Sequence, residues 1–257
     1  MRIDFTNRVV AITGASSGIG AALSLELARQ GTRLALVGRN QERLNAVREK
    51  ARTAGAEAET FVCDVTQRAQ NEKAVEEILR RFGRIDILIY SAGIGIPTFY
   101  RHFESRPIRA IFETNVLGFL DWLEFVLPTM QEKNWGLIVA ISSLAAHLST
   151  KRTAGYTASK AALSNLLEGV RKGLRKYGVR VLTIEPGYIR TPMTADNPNM
   201  IFPMNVEKAA RKILKAAEWG KSVYRFPKIP AFGVRFWECV PTSLKNFIFK
   251  SQKHMGI

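Results

Sequence analysis

Arg8 to Ile12 (RVVAI) is a short apolar run. It enters Thr13-Gly14-Ala15-Ser16-Ser17-Gly18-Ile19-Gly20 and leaves into a helical pattern, Ala21 to Gln30, closed by Gly31. Strand, glycine-rich turn, helix is the context in which a glycine motif becomes a phosphate site. The glycines let the backbone approach a pyrophosphate, and the helix N-terminus offers free N–H groups and a positive dipole end. The plain alternative is an ordinary tight turn between a strand and a helix.

The pattern then repeats. Strands are predicted over Arg33–Val37, Ala58–Val62 and Ile85–Tyr90, with helices over Gln41–Thr53 and Thr66–Phe82 between them. Strand and helix alternate at short spacing, which predicts an α/β fold, a doubly wound parallel sheet with helices on both faces. A continuous helix is predicted from Arg106 to about Glu132, then a strand over Gly136–Ile141, a helix over Ala154–Tyr177 and a strand over Val179–Ile184. A helix over Val206–Trp219 and a last strand over Ser222–Arg225 follow. Ligands of such sheets bind off the carboxyl ends of the strands. Gly14, Arg39, Asp64, Ser91 and Ser143 all lie there.

The 257 residues suit a single α/β domain, residues 1–257, in which 188–220 form a substrate flap and helix and 221–257 a basic aromatic extension. A hydrophobic fraction of 46% and a charged fraction of 23% are those of an ordinary globular chain. The net charge of +16 is not ordinary, and favours contact with something anionic: a phosphorylated cofactor, an acidic lipid surface or nucleic acid. Cys63 and Cys239 form no disulfide framework and no metal spacing, so a reducing, cytoplasmic location without a bound metal is expected. Polar residues interrupt the N-terminus before any signal-like stretch, and no run approaches about 18 apolar residues.

Tyr156 and Lys160 are four apart, on one face of the predicted helix. An ammonium about 4 Å from a phenolate contributes roughly 4 kcal/mol at an effective dielectric of 20. That would bring the phenol towards neutrality, where it can give or take a proton. Ser143, at the end of the preceding strand, offers a hydroxyl to a substrate oxygen. Ser142 must face the other way, because consecutive strand residues do. About twenty residues beyond the glycine turn, where an acidic side chain would bind a ribose 2′-hydroxyl, the chain has Gly38 and then Arg39. A guanidinium there suits a 2′-phosphate, hence NADP(H) over NAD(H). Alternatively Arg39 caps the next helix and meets only solvent.

Together these residues resemble a short-chain dehydrogenase/reductase. The resemblance rests on Thr13–Gly20, Cys63-Asp64-Val65, Ala92-Gly93, Asn115, Ser143, Tyr156-Thr-Ala-Ser-Lys160 and Pro186-Gly187 with Thr191, in the family's order and spacing. It implies a Rossmann-like sheet of about seven strands and reversible hydride transfer between a nicotinamide cofactor and a carbonyl or alcohol. Tyr156 would be the acid/base, Lys160 would lower its pKa and hold the nicotinamide ribose, and Ser143 would polarise the carbonyl oxygen. Asn115 would help a water complete a proton relay. Gly14, Ser16, Ser17, Gly18, Ile19 and Gly20 would cradle the phosphates. Asp64 and Val65 would approach the adenine, and Ala92 and Gly93 the cofactor floor. Pro186, Gly187, Ile189 and Thr191 would lie along the nicotinamide end. One departure stands out: Ser91 occupies a position where the family usually has Asn. The resemblance also implies a homodimer or homotetramer, with helices near 107–132 and 154–177 as the common interfaces.

Past Gly187 the flap carries Met193, Met200, Phe202 and Met204, which suit an irregular apolar ligand or simply pack the flap down. Residues 221–257 hold seven Lys and Arg against one acidic residue, interleaved with aromatics. That is the profile of a contact with an anionic membrane surface. Packing on the protein itself, or mere solubility, reads equally well. The expected function is an NADP(H)-preferring oxidoreductase of a carbonyl or secondary alcohol on an apolar, lipid-like small molecule, with NAD(H) possible. The rivals are a catalytically silent NADP(H)-binding scaffold or sensor, and a nucleic-acid binder supported by charge alone; no nucleic-acid partner is expected.

Overall fold

The computed structural model describes residues 2–240, and the side chains of all of these except 234–239. Seven parallel strands form the main sheet in the order β3-β2-β1-β4-β5-β6-β9. They are β1 (Val9–Thr13), β2 (Arg33–Gly38), β3 (Glu57–Val62), β4 (Ile87–Tyr90), β5 (Gly136–Ile141), β6 (Val179–Pro186) and β9 (Val223–Phe226). The order reverses at β1, so the chain winds out one way to β3 and the other way to β9. The crevice between β1 and β4 is the place where such sheets take a ligand.

The five inner strands read as largely apolar runs because both faces are covered, whereas the edge strands β3 and β9 are partly polar and exposed. Helices α1 (Gly18–Ala28), α2 (Gln41–Thr53) and α7 (Val206–Glu218) enclose one core with the strand residues Val10, Ile12, Leu34 and Leu36. Helices α3 (Arg68–Phe82), α5 (Gly118–Glu132) and α6 (Ala154–Leu174) enclose the other with Val9, Ala11, Ala35 and Val37. Alternate residues of β1 thus go to opposite cores, the period of two that a strand imposes.

Several boundaries differ from the sequence reading. Helix α1 starts at Gly18 rather than Ala21, so the glycine turn supplies its first helical residues. The expected helix 106–132 is not continuous. It divides into α4 (Arg106–Phe112) and α5, joined by a π-helical turn, Glu113–Leu117, that contains Asn115. Single π turns inside helices concentrate at functional sites. Apolar periodicity does not reveal them, because one extra residue shifts the register without breaking the pattern. The flap is tied down by a small parallel pair, β7 (Ile189–Arg190) with β8 (Met204–Asn205). Residues Lys228–Cys239, within the expected basic aromatic extension, form a further helix, α8. The rest of that extension, 241–257, lies outside the described residues, as does the side chain of Cys239.

Candidate active site

Strand β1 delivers the glycine turn to the crevice. Gly14 takes φ +67°, a left-handed conformation, and an added Cβ would stand 2.9 Å from the backbone nitrogen of Ala92. A Cβ on Gly20 would meet the Gly14 carbonyl oxygen at 2.4 Å. The backbone therefore passes close to its neighbours with no room for side chains, and Ser17 stands at the N-cap of α1. A cradle of this kind fits a pyrophosphate at a helix N-terminus, with Ser16, Ser17, Gly18, Ile19 and Gly20 around it.

At the end of β2, Gly38 leaves space that Ser16 borders. Asn40, not Arg39, caps α2, accepting the N–H of Arg43 at 2.8 Å. Arg39 is 70% exposed and reaches Asp64 at 3.7 Å. Asp64 also accepts the Thr66 N–H and hydroxyl. The two predicted adenosine-end residues therefore meet across the ends of β2 and β3. Val65 is buried, and its carbonyl accepts the Asn71 amide at 2.9 Å. After β4, the Thr13 hydroxyl accepts the N–H groups of both Ser91 and Ala92 at 3.2 Å. This strand end is thus held from β1, a support independent of which side chain stands at 91. At the far side Thr191 comes within 3.4 Å of the space a Cβ on Gly18 would take. The Ile189 side chain is in the core, and its carbonyl accepts the Thr194 hydroxyl at 2.6 Å.

Ser143, Tyr156, Lys160 and Asn115 converge beside this cradle. The Ser143 hydroxyl accepts the Ala145 N–H at 3.1 Å and donates to the Pro186 carbonyl at 3.4 Å. Ser142 faces away, donating to the Lys160 carbonyl at 3.0 Å and contacting the Ser164 hydroxyl at 2.8 Å. Gly93 lies between the others: a Cβ there would be 3.3 Å from Asn115 Oδ1 and 3.4 Å from Lys160 Nζ. Gly95 lies against the Tyr156 ring. Asn115, presented by the π turn, binds both backbone groups of Ile94 and the Ser159 hydroxyl. It thereby pins the loop after β4 to α6.

The electrostatics depart from the simple Tyr–Lys picture. The Lys160 ammonium sits 5.8 Å from the Tyr156 ring centre and donates to the Ile141 carbonyl at 2.7 Å. Burial lowers its pKa to about 8. Burial likewise raises the Tyr156 phenol above its ordinary value, with the Ser143 hydroxyl opposing the rise. Part of the Tyr156 side chain is exposed, but its hydroxyl is enclosed by protein. The expected lowering of the phenol by Lys160 is absent in this geometry. Both groups have lost their water, and that cost exceeds a Coulomb attraction at this separation.

Sequence reasoning passed over one buried cluster. Glu185, at the end of β6, is 2% exposed and bonds Arg225 at 2.5 Å, His147 at 2.9 Å and Ser164 at 3.0 Å. Burial pushes its carboxyl up, but His147 and Arg225 more than offset this, and the net shift is downward. The cluster joins the loop after β5, the last strand and α6. Through Ser164 and Ser142 it reaches the Lys160 backbone. A signal existed: Glu185 is a carboxylate in the otherwise uncharged run Val181–Gly187. No group of three His, Cys, Asp or Glu among the described residues can hold a metal.

The family model for short chain dehydrogenase matches residues 8–201. An uncharacterized oxidoreductase of Myxococcus xanthus is 35% identical over 242 residues, 94% of this chain and 96% of its own. Another, from Staphylococcus saprophyticus, is 36% identical over 213 residues, 81% of this chain and 91% of its own. Among solved structures, levodione reductase is 29% identical with a TM-score of 0.81, covering 89% of this chain and 99% of that one. A short-chain type dehydrogenase/reductase from Mycobacterium marinum is 26% identical with a TM-score of 0.79, covering 86% and 93%.

Proposed function

The chain belongs to the short-chain dehydrogenase family, and is an NAD(P)-dependent oxidoreductase acting on CH–OH donors; from that premise we propose that it interconverts a ketone and a secondary alcohol on an apolar, lipid-like small molecule, with NADP(H) preferred. The observation that carries the reading is the meeting of Ser143, Tyr156, Lys160 and Asn115 beside the glycine cradle. The levodione reductase among the neighbours supports the reductive direction.

When bound, the nicotinamide supplies or accepts a hydride at the substrate carbon. Tyr156 gives its hydroxyl proton to the carbonyl oxygen, and Ser143 donates a hydrogen bond where negative charge develops. A phenol is protonated at neutral pH, so Tyr156 starts in the form that donates. Lys160, with a pKa near 8, can take up and release a proton near neutrality and return it to Tyr156, with Asn115 steadying the route. Gly14 to Gly20 would hold the pyrophosphate, Asp64 and Val65 the adenine, Ala92, Gly93, Pro186, Gly187, Ile189 and Thr191 the nicotinamide half.

The NADP(H) preference is supported at the end of β2, where Gly38 contributes no carboxylate. Arg39 is exposed and held only loosely by Asp64 at 3.7 Å, so it is free to turn towards a phosphate. A homo-oligomer is supported by the exposed Leu117, which ends the π turn, and Leu120 at the start of α5. We also propose a cytoplasmic location; no helix among the described residues is long and apolar enough to cross a membrane.

The test is NADPH and NADH oxidation across ketones graded by chain length and ring content. Faster turnover with NADPH, rising with apolar size, is expected. Tight NADPH binding with no oxidation of cofactor on any ketone would favour the silent scaffold instead.

A further inference from the structure

Fifteen large apolar side chains are exposed among the described residues, and ten of them lie in four segments at one edge of the main sheet. Those segments follow β4, β5, β6 and β9, parallel strands whose carboxyl ends share that edge. They include Phe99 (62% exposed), Phe103 (58%), Ile201 (65%), Phe202 (56%), Ile229 (70%) and Phe232 (73%). Neighbouring segments are in contact: the Thr98 N–H donates to the Arg152 carbonyl at 2.8 Å, and the Gly187 N–H to the Phe226 carbonyl at 2.7 Å. Ser143 follows β5 at the same edge, so these apolar groups lie on the side of the sheet that holds the candidate site.

Phe202 sharpens the point. It takes φ +49°, a conformation that bulky side chains rarely adopt. Burial of its ring within the chain does not offset that strain, because more than half of the residue stays in water.

We propose that this rim docks on the surface of an anionic lipid bilayer. Soluble proteins seldom leave apolar groups gathered in this way unless something covers them. Over residues 94–106, 144–153, 188–205 and 227–232 the sequence carries six Lys and Arg against two acidic residues. Arg152 itself lies over the Phe99 ring at 5.9 Å. Aromatic and aliphatic side chains interleaved with basic ones match a headgroup boundary, where rings sink in and cations stay at the phosphates. A second copy of this chain would bring one positive rim against another, which like charges oppose. Single-stranded nucleic acid would use the rings and the charge but not Ile201 or Ile229, since bases stack on flat groups. The surface takes in Lys228, Ile229 and Phe232 of the expected basic extension, 221–257, but adds three segments earlier in the chain, and the inference does not rest on the reductase reading.

The experiment is co-sedimentation of the full-length protein with vesicles of phosphatidylcholine alone or with roughly one third phosphatidylglycerol. The native chain is expected to bind only the anionic vesicles and to be released by salt. A Phe99→Asp, Phe202→Asp double variant should lose about ten-fold or more in partitioning. Ile229→Asp, in a different segment, should lose several-fold, which guards against one misfolded loop as the cause. Trp219→Asp, an exposed aromatic outside the rim, should bind as the native chain does. Absence of native binding overturns the proposal. So does native-like binding by the rim variants, equal loss in Trp219→Asp, or tighter binding to a single-stranded oligonucleotide than to vesicles. Ketone reduction measured in the same preparations reports on the enzyme independently, so either reading can fail alone.

Discussion

After β1, β2 and β3 the chain turns into its next helix within two to five residues; after β4, β5 and β6 it takes twelve to nineteen. The short turns are made of backbone and small polar groups. Gly14 and Gly20 leave no room for side chains, Asn40 caps a helix, and Asp64 is bonded to Thr66. The long connections carry most of the exposed aromatics, the flap and His147 of the Glu185 cluster. The first half of the edge suits a ligand of fixed chemistry, a nucleotide read by amides and a charge. The second suits a ligand whose shape must be matched by side chains. Tyr156 and Lys160 stand at the boundary, reached from both.

Substitutions can test whether the halves are separable. The largest effect belongs to Tyr156→Phe, which should lower kcat by about 10³ while NADPH Kd, followed by cofactor fluorescence, changes little. Comparable loss of cofactor affinity would mean that the halves are not distinct. Next is Glu185→Gln. It leaves Arg225 without its buried partner and should lower unfolding stability by about 2–3 kcal/mol, less than for a fully enclosed pair because Arg225 is 34% exposed. KM for the ketone should rise more than KM for NADPH.

That deficit has a predictable pH dependence. Glu185 has a folded pKa below its unfolded one, so its contribution is present above the ordinary carboxylate range and fades as pH falls below it. Melting curves of native and variant should converge in acid; parallel curves down to pH ~3 would remove the charge from the explanation.

Arg39→Asp should shift the NADPH-to-NADH ratio of kcat/KM by about ten-fold towards NADH, with ketone KM unchanged. An unaltered ratio would put the 2′-phosphate elsewhere. The smallest effect is on stability in Lys160→Met. Burial depresses the Lys160 pKa to about 8 from 10.5. Protonated Lys160 therefore costs stability below pH 8, and that cost disappears as pH rises from 8 to 10.5. The inactive variant should be more stable than native by on the order of 1 kcal/mol at pH 7, once the lost Ile141 bond is set against the relief. The gain should vanish by pH 10.5 in thermal melts.

The strand and helix order was legible because the five inner strands are largely buried apolar runs and the first turns use Gly, Asn or Asp where the backbone demands it. Val9–Thr13 and Arg33–Gly38 fall within a residue or two of the expected strands. The π turn at Glu113–Leu117 was not legible, since it leaves the apolar spacing nearly intact. Neither was the β7–β8 pair, whose two-residue strands are too short to show a period. Glu185, His147 and Arg225 are separated by 38 and 40 residues along the chain. Only closure of the sheet brings them together.

By itself the sequence determined a doubly wound sheet, a glycine turn at its crevice, and the candidate residues for moving a proton and holding an oxygen. These follow from local rules: side-chain period, glycine at a crowded turn, and spacing of four along a helix. What tertiary structure decided was how those residues titrate and what surrounds them. Tyr156 is raised rather than lowered because burial removed its water, and Asn115 reaches Ile94 because a π turn swings it there. The apolar rim exists because four strands far apart in sequence end on one edge. Solvation and long-range contact are properties of the folded chain, and no local pattern of residues encodes them.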